Sequence, residues 1–123
     1  MDINVVSGAV VDAALKVHRE LGPGLLESAY EACLVRELTR RGLNVARQVP
    51  MPIVYCGEMI EACYRVDLLV EESVLVELKC VECVLPIHEA QLLCYLKLGN
   101  KPLGLLINFN VKLLKQGITR MVN

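Results

Sequence analysis

The chain has 123 residues, 54% of them apolar, with 13 basic against 14 acidic side chains and a net charge of −1. That length supports one self-sufficient core and is read as a single domain, 1–123. The balanced charge excludes a global basic footprint for nucleic acid, and no stretch reaches the roughly 18 apolar residues that a bilayer span needs.

Residues 5–21 carry helical spacing at Val6, Val10, Ala13, Ala14, Val17 and Leu21, and Gly22-Pro23-Gly24 breaks the pattern. Asp2 and Asn4 stand ahead of this helix, so no basic-then-apolar amino-terminal signal is expected. A second helix is predicted from 25 or 26 to 41, with Leu26, Ala29, Tyr30, Cys33, Leu34 and Leu38 on its apolar face and Gly42 as its stop. Residues 44–56 read as a strand that Pro50 and Pro52 confine to an edge or bulge. A turn at Gly57-Glu58 leads to a strand from Met59 to Val70, then a loop Glu71-Glu72-Ser73 and a returning strand from Val74 to Lys79. Pro86 suits a helix start, 87–98 reads as a helix, 103–109 as a buried strand and 118–122 as a last strand. This order gives an α/β (α+β) domain with a central sheet flanked by helices.

The six cysteines are expected to be reduced, with none catalytic or bound to zinc. Cys80-Val81-Glu82-Cys83 has knuckle spacing but no second pair follows, and Cys33, Cys63 and Cys94 fall among apolar neighbours. That usage suits a reducing cytoplasm. A mean hydropathy of +0.46 leaves an apolar surplus that is expected to enter a homodimer interface. Local basic groups occur at Arg36, Arg40, Arg41 and Arg47, and again at Lys97, Lys101, Lys112, Lys115 and Arg120. They read either as solvated edges or as grips on a phosphate backbone.

The hairpin carries the chemistry. Strict alternation puts Val66, Leu68 and Val70 on one face with Val74, Val76 and Leu78, and a three-residue loop pairs Val70 with Val74. Asp67 then lies opposite Glu77, with Lys79 on the same face. Like charges opposed across a sheet destabilise it, by about 3 kcal/mol at about 5 Å and an effective dielectric of about 20. A hard divalent cation on the carboxylate oxygens would offset that. The alternative is an ordinary charged, solvated face. Leu69 and Leu75 share that face and argue against uniform wetting.

Gly24-Leu25-Leu26-Glu27-Ser28-Ala29-Tyr30 resembles the signature of the GxxExxY family, and Asp67 with Glu77-Leu78-Lys79 resembles the core of the PD-(D/E)XK nuclease superfamily. Gln91 and Tyr95, four apart on one helix face, are similar to a QxxxY element of that superfamily. One departure is that Val66, not Pro, precedes Asp67. The resemblance implies a restriction-endonuclease-like αβββαβ core and hydrolysis of phosphodiesters in DNA, ahead of RNA. It implies Mg²⁺ (or Mn²⁺) on Asp67, Glu77 and the Leu78 backbone carbonyl, with Glu27 as a further ligand or catalytic acid. Lys79 would assist the attacking water, and Tyr30, Gln91 and Tyr95 would position the substrate. Two other readings stand beside it. One is a non-catalytic DNA-binding or protein-interaction module. The other is an intersubunit salt-bridge surface in which Lys79 and Arg65 meet a partner's acids.

Overall fold

Asp2 starts the fold by accepting the Asn4 N–H at 2.7 Å, which caps α1 (Ile3–Leu21). Gly22, at φ 68, ends it with its N–H on the His18 carbonyl. The structure is a computed structural model that describes residues 1–123, except the side chains of Ala62 and Cys63. The reading of Cys63 as buried therefore lies outside the described residues.

After α1 come α2 (Glu27–Arg40), β1 (Val45–Tyr55), β2 (Glu58–Val70), β3 (Val74–Lys79), α3 (Pro86–Leu98), β4 (Leu103–Asn108), a 3₁₀ turn (Leu114–Gly117) and β5 (Ile118–Val122). The sheet order is β1-β2-β3-β4-β5, antiparallel throughout except for the parallel pair β3/β4, which α3 connects. This is the expected αβββαβ arrangement with a mixed sheet. The edge position of β1 explains its prolines, since a missing N–H costs nothing on the unpaired side. The one register shift in β1/β2 falls between Met51 and Ile53, at Pro52. The β1–β2 turn is Cys56-Gly57, one residue earlier than expected, with both residues at positive φ as a two-residue hairpin requires.

The core has two layers. Val6, Val10, Ala13 and Val17 of α1, with Tyr30, Leu34 and Leu38 of α2, pack on Leu68, Val70, Val74, Val76, Leu78, Leu105 and Ile107. On the opposite side, Leu92, Tyr95 and Leu96 of α3 pack with Met51, Val66, Leu69, Leu75 and Leu106. Val66 is thus parted from Leu68 and Val70. The strict alternation expected along β2 fails between Val66 and Leu68, at Asp67. Leu26, expected on the apolar face of α2, is instead its exposed N-cap, and Cys94 is exposed. The five described cysteines are free. His88 accepts the Leu85 N–H through Nδ1 at 3.0 Å and so caps α3. Among the described residues no helix is long and apolar enough to cross a membrane.

Candidate active site

The hairpin register is the one alternation demands: Val70 faces Val74, Leu69 faces Leu75 and Leu68 faces Val76. There the ladder stops. β4 holds the other edge of β3 along its whole length, from Val74 with Leu103 to Lys79 with Asn108, whereas β2 and β3 pair no further than Val76. The two strands separate at the level of the two acids, and the acids fill the gap. The Asp67 N–H donates to Glu77 Oε1 at 2.8 Å, and the Leu78 N–H donates to Asp67 Oδ2 at 2.8 Å. Each carboxylate thus replaces a backbone carbonyl that the ladder would have supplied.

Both groups are half-buried, and both titrate above their ordinary range. Glu77 is pushed up to about 7, first by desolvation and then by the Asp67 charge, against the opposing Asp67 N–H and Lys79. Asp67 is raised by desolvation, against its bonds from Leu78 and Gln48. Burial therefore outweighs the mutual repulsion that the opposed charges suggest in the sequence. Glu27, in the first turn of α2, is raised by desolvation and next by Asp67, while Lys79 draws it back. Lys79 lowers all three acids, so its ammonium lies within electrostatic reach of each. Side chains from α2, β2 and β3 thus lie within electrostatic reach of one another.

Three residues at this site escaped the sequence reading. Glu31, one turn after Glu27, is only 7% exposed. It accepts from Arg47 at 2.9 Å and from Gln48 Nε2 at 2.9 Å. Gln48 Nε2 also reaches Asp67 Oδ1 at 3.3 Å, bridging two carboxylates. To do so Gln48 adopts φ 49, a left-handed conformation that a glutamine takes only when its surroundings impose it. Its position opposite Asp67 is where both strands distort. The one available signal was i,i+4 spacing of Glu27 and Glu31, a like-charge pair that an isolated helix disfavours. Asn108 is the second supporting group. It bonds both Val81 N–H and Val81 carbonyl, at 3.1 and 2.9 Å, and so anchors the chain that leaves Lys79.

Tyr30 requires a correction. It is fully buried, stacks on Phe109 at 4.5 Å, donates its hydroxyl proton to the Gly22 carbonyl and accepts the Leu25 N–H. It cannot touch a substrate. It fixes the Gly22–Leu26 bend that delivers Glu27. Tyr95 is 8% exposed, and its hydroxyl is raised by burial first and by the Glu77 charge next. Gln91 is exposed one turn away, and both line a groove of ≈ 510 Å³ between α3 and the β1–β2 hairpin.

The donor set suits a hard, oxygen-seeking cation of low protein-ligand demand: Asp67 and Glu77 offer desolvated carboxylates with too little local positive charge. Among the described residues, no group of three or more His, Cys, Asp or Glu is gathered to hold a metal. The fit is therefore to an ion that keeps most of its own waters, and not to a closed zinc site.

No curated protein and no solved structure matches the chain. The family model of the PD-(D/E)XK nuclease superfamily matches residues 4–121, nearly the whole length. With Asp67, Glu77 and Lys79 gathered where two strands of the expected mixed sheet part, the chain belongs to the PD-(D/E)XK nuclease superfamily.

Proposed function

We propose that the chain is a divalent-metal-dependent nuclease acting on DNA, of the GxxExxY type suggested by Gly24, Glu27 and Tyr30. The observation that carries the reading is the pair of reciprocal bonds that draw Asp67 and Glu77 into one gap. Asp67, Glu77 and the Leu78 carbonyl would hold Mg²⁺ (or Mn²⁺), with Glu27 as an outer acid. The Leu78 N–H already points at Asp67, and in a strand a residue's carbonyl faces the same side as its N–H. The ion would acidify a water and neutralise charge on the phosphate. Lys79 supplies a fixed cation where that charge grows. Gln48 and Glu31 hold Asp67 in place, and Tyr95 and Gln91 offer polar contacts to the strand being cut.

The test is incubation of purified protein with plasmid and single-stranded DNA, with Mg²⁺ or Mn²⁺, beside Asp67→Ala and Lys79→Ala. Loss of cleavage in both variants is expected; equal cleavage in all three proteins would mark a contaminant and remove the case. Calorimetric titration with Mn²⁺ separates the alternative, since a binding-only module would take up no ion that depends on Asp67 and Glu77. A homodimer in a reducing compartment completes the reading, supported by free cysteines and by Val54, Tyr55, Met59 and Ile60, which leave the tip of the β1–β2 hairpin apolar and exposed. Sedimentation as a monomer at micromolar concentration would refute the dimer.

A further inference from the structure

The basic groups that the sequence shows as two clusters are redistributed by the fold. Arg41 is paired with Asp12 and Glu37, Lys16 with Glu37, and Arg47 with Glu31. Arg36 and Arg40 line an outer groove of α1 and α2 with Lys16, and there Glu20 and Glu37 offset two of the three positive charges. Lys101 is spent on the Glu72 carbonyl and Arg120 on Asn4. Lys112 and Lys115 go elsewhere. They meet Arg19, from the last turn of α1, across a cleft of ≈ 420 Å³ whose rim also includes His18, Gly22 and Pro23. No carboxylate lines this cleft, and among the described residues none of its three cations is in an ion pair. In a chain with 14 acids against 13 bases, that is a strong local imbalance.

Both rims of the cleft lead from the acid site. One is the Gly22-Pro23 bend, which Tyr30 grips and which delivers Glu27 at the start of α2. The other begins at Phe109, whose N–H donates to the Lys79 carbonyl, and continues to Lys112 and Lys115. His18 ties the rims together through its Nε2 contact with the Val111 carbonyl at 2.8 Å. Cations in a cleft whose rims are joined to Glu27 through the Gly22–Leu26 bend and to Lys79 through Phe109 suit a ligand with regularly spaced negative charges. The geometry points to Arg19, Lys112 and Lys115 as the binding track for the phosphodiester backbone of the substrate strand. The direction of the track rests on the nuclease reading; the binding does not.

The experiment is fluorescence anisotropy of a labelled single-stranded oligonucleotide in EDTA, titrated over salt, with the full chain and the double variant Lys112→Ala/Lys115→Ala, then Arg19→Ala. Each cation lost from a single strand should flatten the log-affinity against log-salt slope by about 0.7, so the double variant should lose about 1.4 and bind on the order of tenfold more weakly at 0.1 M salt. Arg36→Ala/Arg40→Ala removes the same two charges from the outer groove and should leave the slope in place. An unchanged slope in Lys112→Ala/Lys115→Ala overturns the track, as does an equal loss in Arg36→Ala/Arg40→Ala, which would mark a bulk charge effect. Displacement of the oligonucleotide by low-millimolar orthophosphate would also overturn it, in favour of a small-anion pocket. If the chain binds with the expected slope but never cleaves, the nuclease reading fails and the track stands. If it cleaves and the cleft variants bind and cleave as the parent does, the track alone fails.

Discussion

Replacing Glu77 with Gln isolates the charge that the fold holds at a cost. The amide keeps an oxygen for the Asp67 N–H, which now bonds Glu77 Oε1, and removes only the ionisation. Glu77 titrates at about 7 in the fold against 4.5 ordinarily, with desolvation as the first cause and Asp67 as the second. A raised carboxyl binds its proton more tightly when folded. Its contribution to stability is therefore fully present below pH 4.5 and is lost as pH rises through 7. At about 1.4 kcal/mol per pH unit, and trimmed for the partial exposure of the group, ionised Glu77 costs about 2–3 kcal/mol at pH 8. Glu77→Gln should thus match the parent near pH 4 and melt about 10 °C higher at pH 8 in EDTA, taking about 4 °C per kcal/mol for a domain of this size. Thermal melts from pH 4 to 8 read the difference, in which titrating groups outside the reach of Glu77 cancel. Addition of Mg²⁺ should then raise the melting point of the parent alone. Because the same proton competes with the metal, Mg²⁺ affinity of the parent should fall as pH drops below about 7. Parallel melting of the two proteins across this range would refute the argument that burial strains the acid pair.

On the proposed mechanism Lys79→Ala should lower kcat by about 10²–10³-fold while oligonucleotide binding persists, since it removes a cation that would stabilise developing charge; equal losses in binding would assign Lys79 to substrate affinity. Tyr30→Phe keeps the stack on Phe109 but abandons the Gly22 carbonyl and the Leu25 N–H, and should cost about 1–2 kcal/mol in urea denaturation. No change there would mean that the bend before α2 is held by other contacts. Arg47→Ala leaves the buried Glu31 with Gln48 as its one remaining donor and should cost about 1 kcal/mol, the exposed half of the arginine being screened. Arg47→Lys should restore only part of this, since one ammonium cannot reproduce the two guanidinium contacts; full restoration would show that charge alone matters.

The elements, their order and the hairpin register are legible in the sequence because they follow from local rules. A period of 3.6 or 2, the Gly22 stop, and a three-residue loop between Val70 and Val74 need no knowledge of the rest of the chain. They suffice to set Asp67 across from Glu77 and to place Lys79 beside them. What the tertiary structure decided is the direction of those side chains. β2 and β3 pair only as far as Leu68 and Val76, while β4 holds the other edge of β3 from Val74 to Lys79, and beyond Val76 carboxylates accept the backbone N–H groups where carbonyls would have done so. At the same level Val66 lies on the α3 side and Gln48 takes a left-handed backbone conformation, which no alternation rule anticipates. Glu31, Arg47 and Gln48 join the site because α2 and β1 happen to meet over it, and Tyr30 leaves it because its hydroxyl is needed by the bend at Gly22. Pattern along a chain fixes which face or strand a residue occupies; which unsatisfied backbone group it answers is fixed only when distant segments of the chain are brought together.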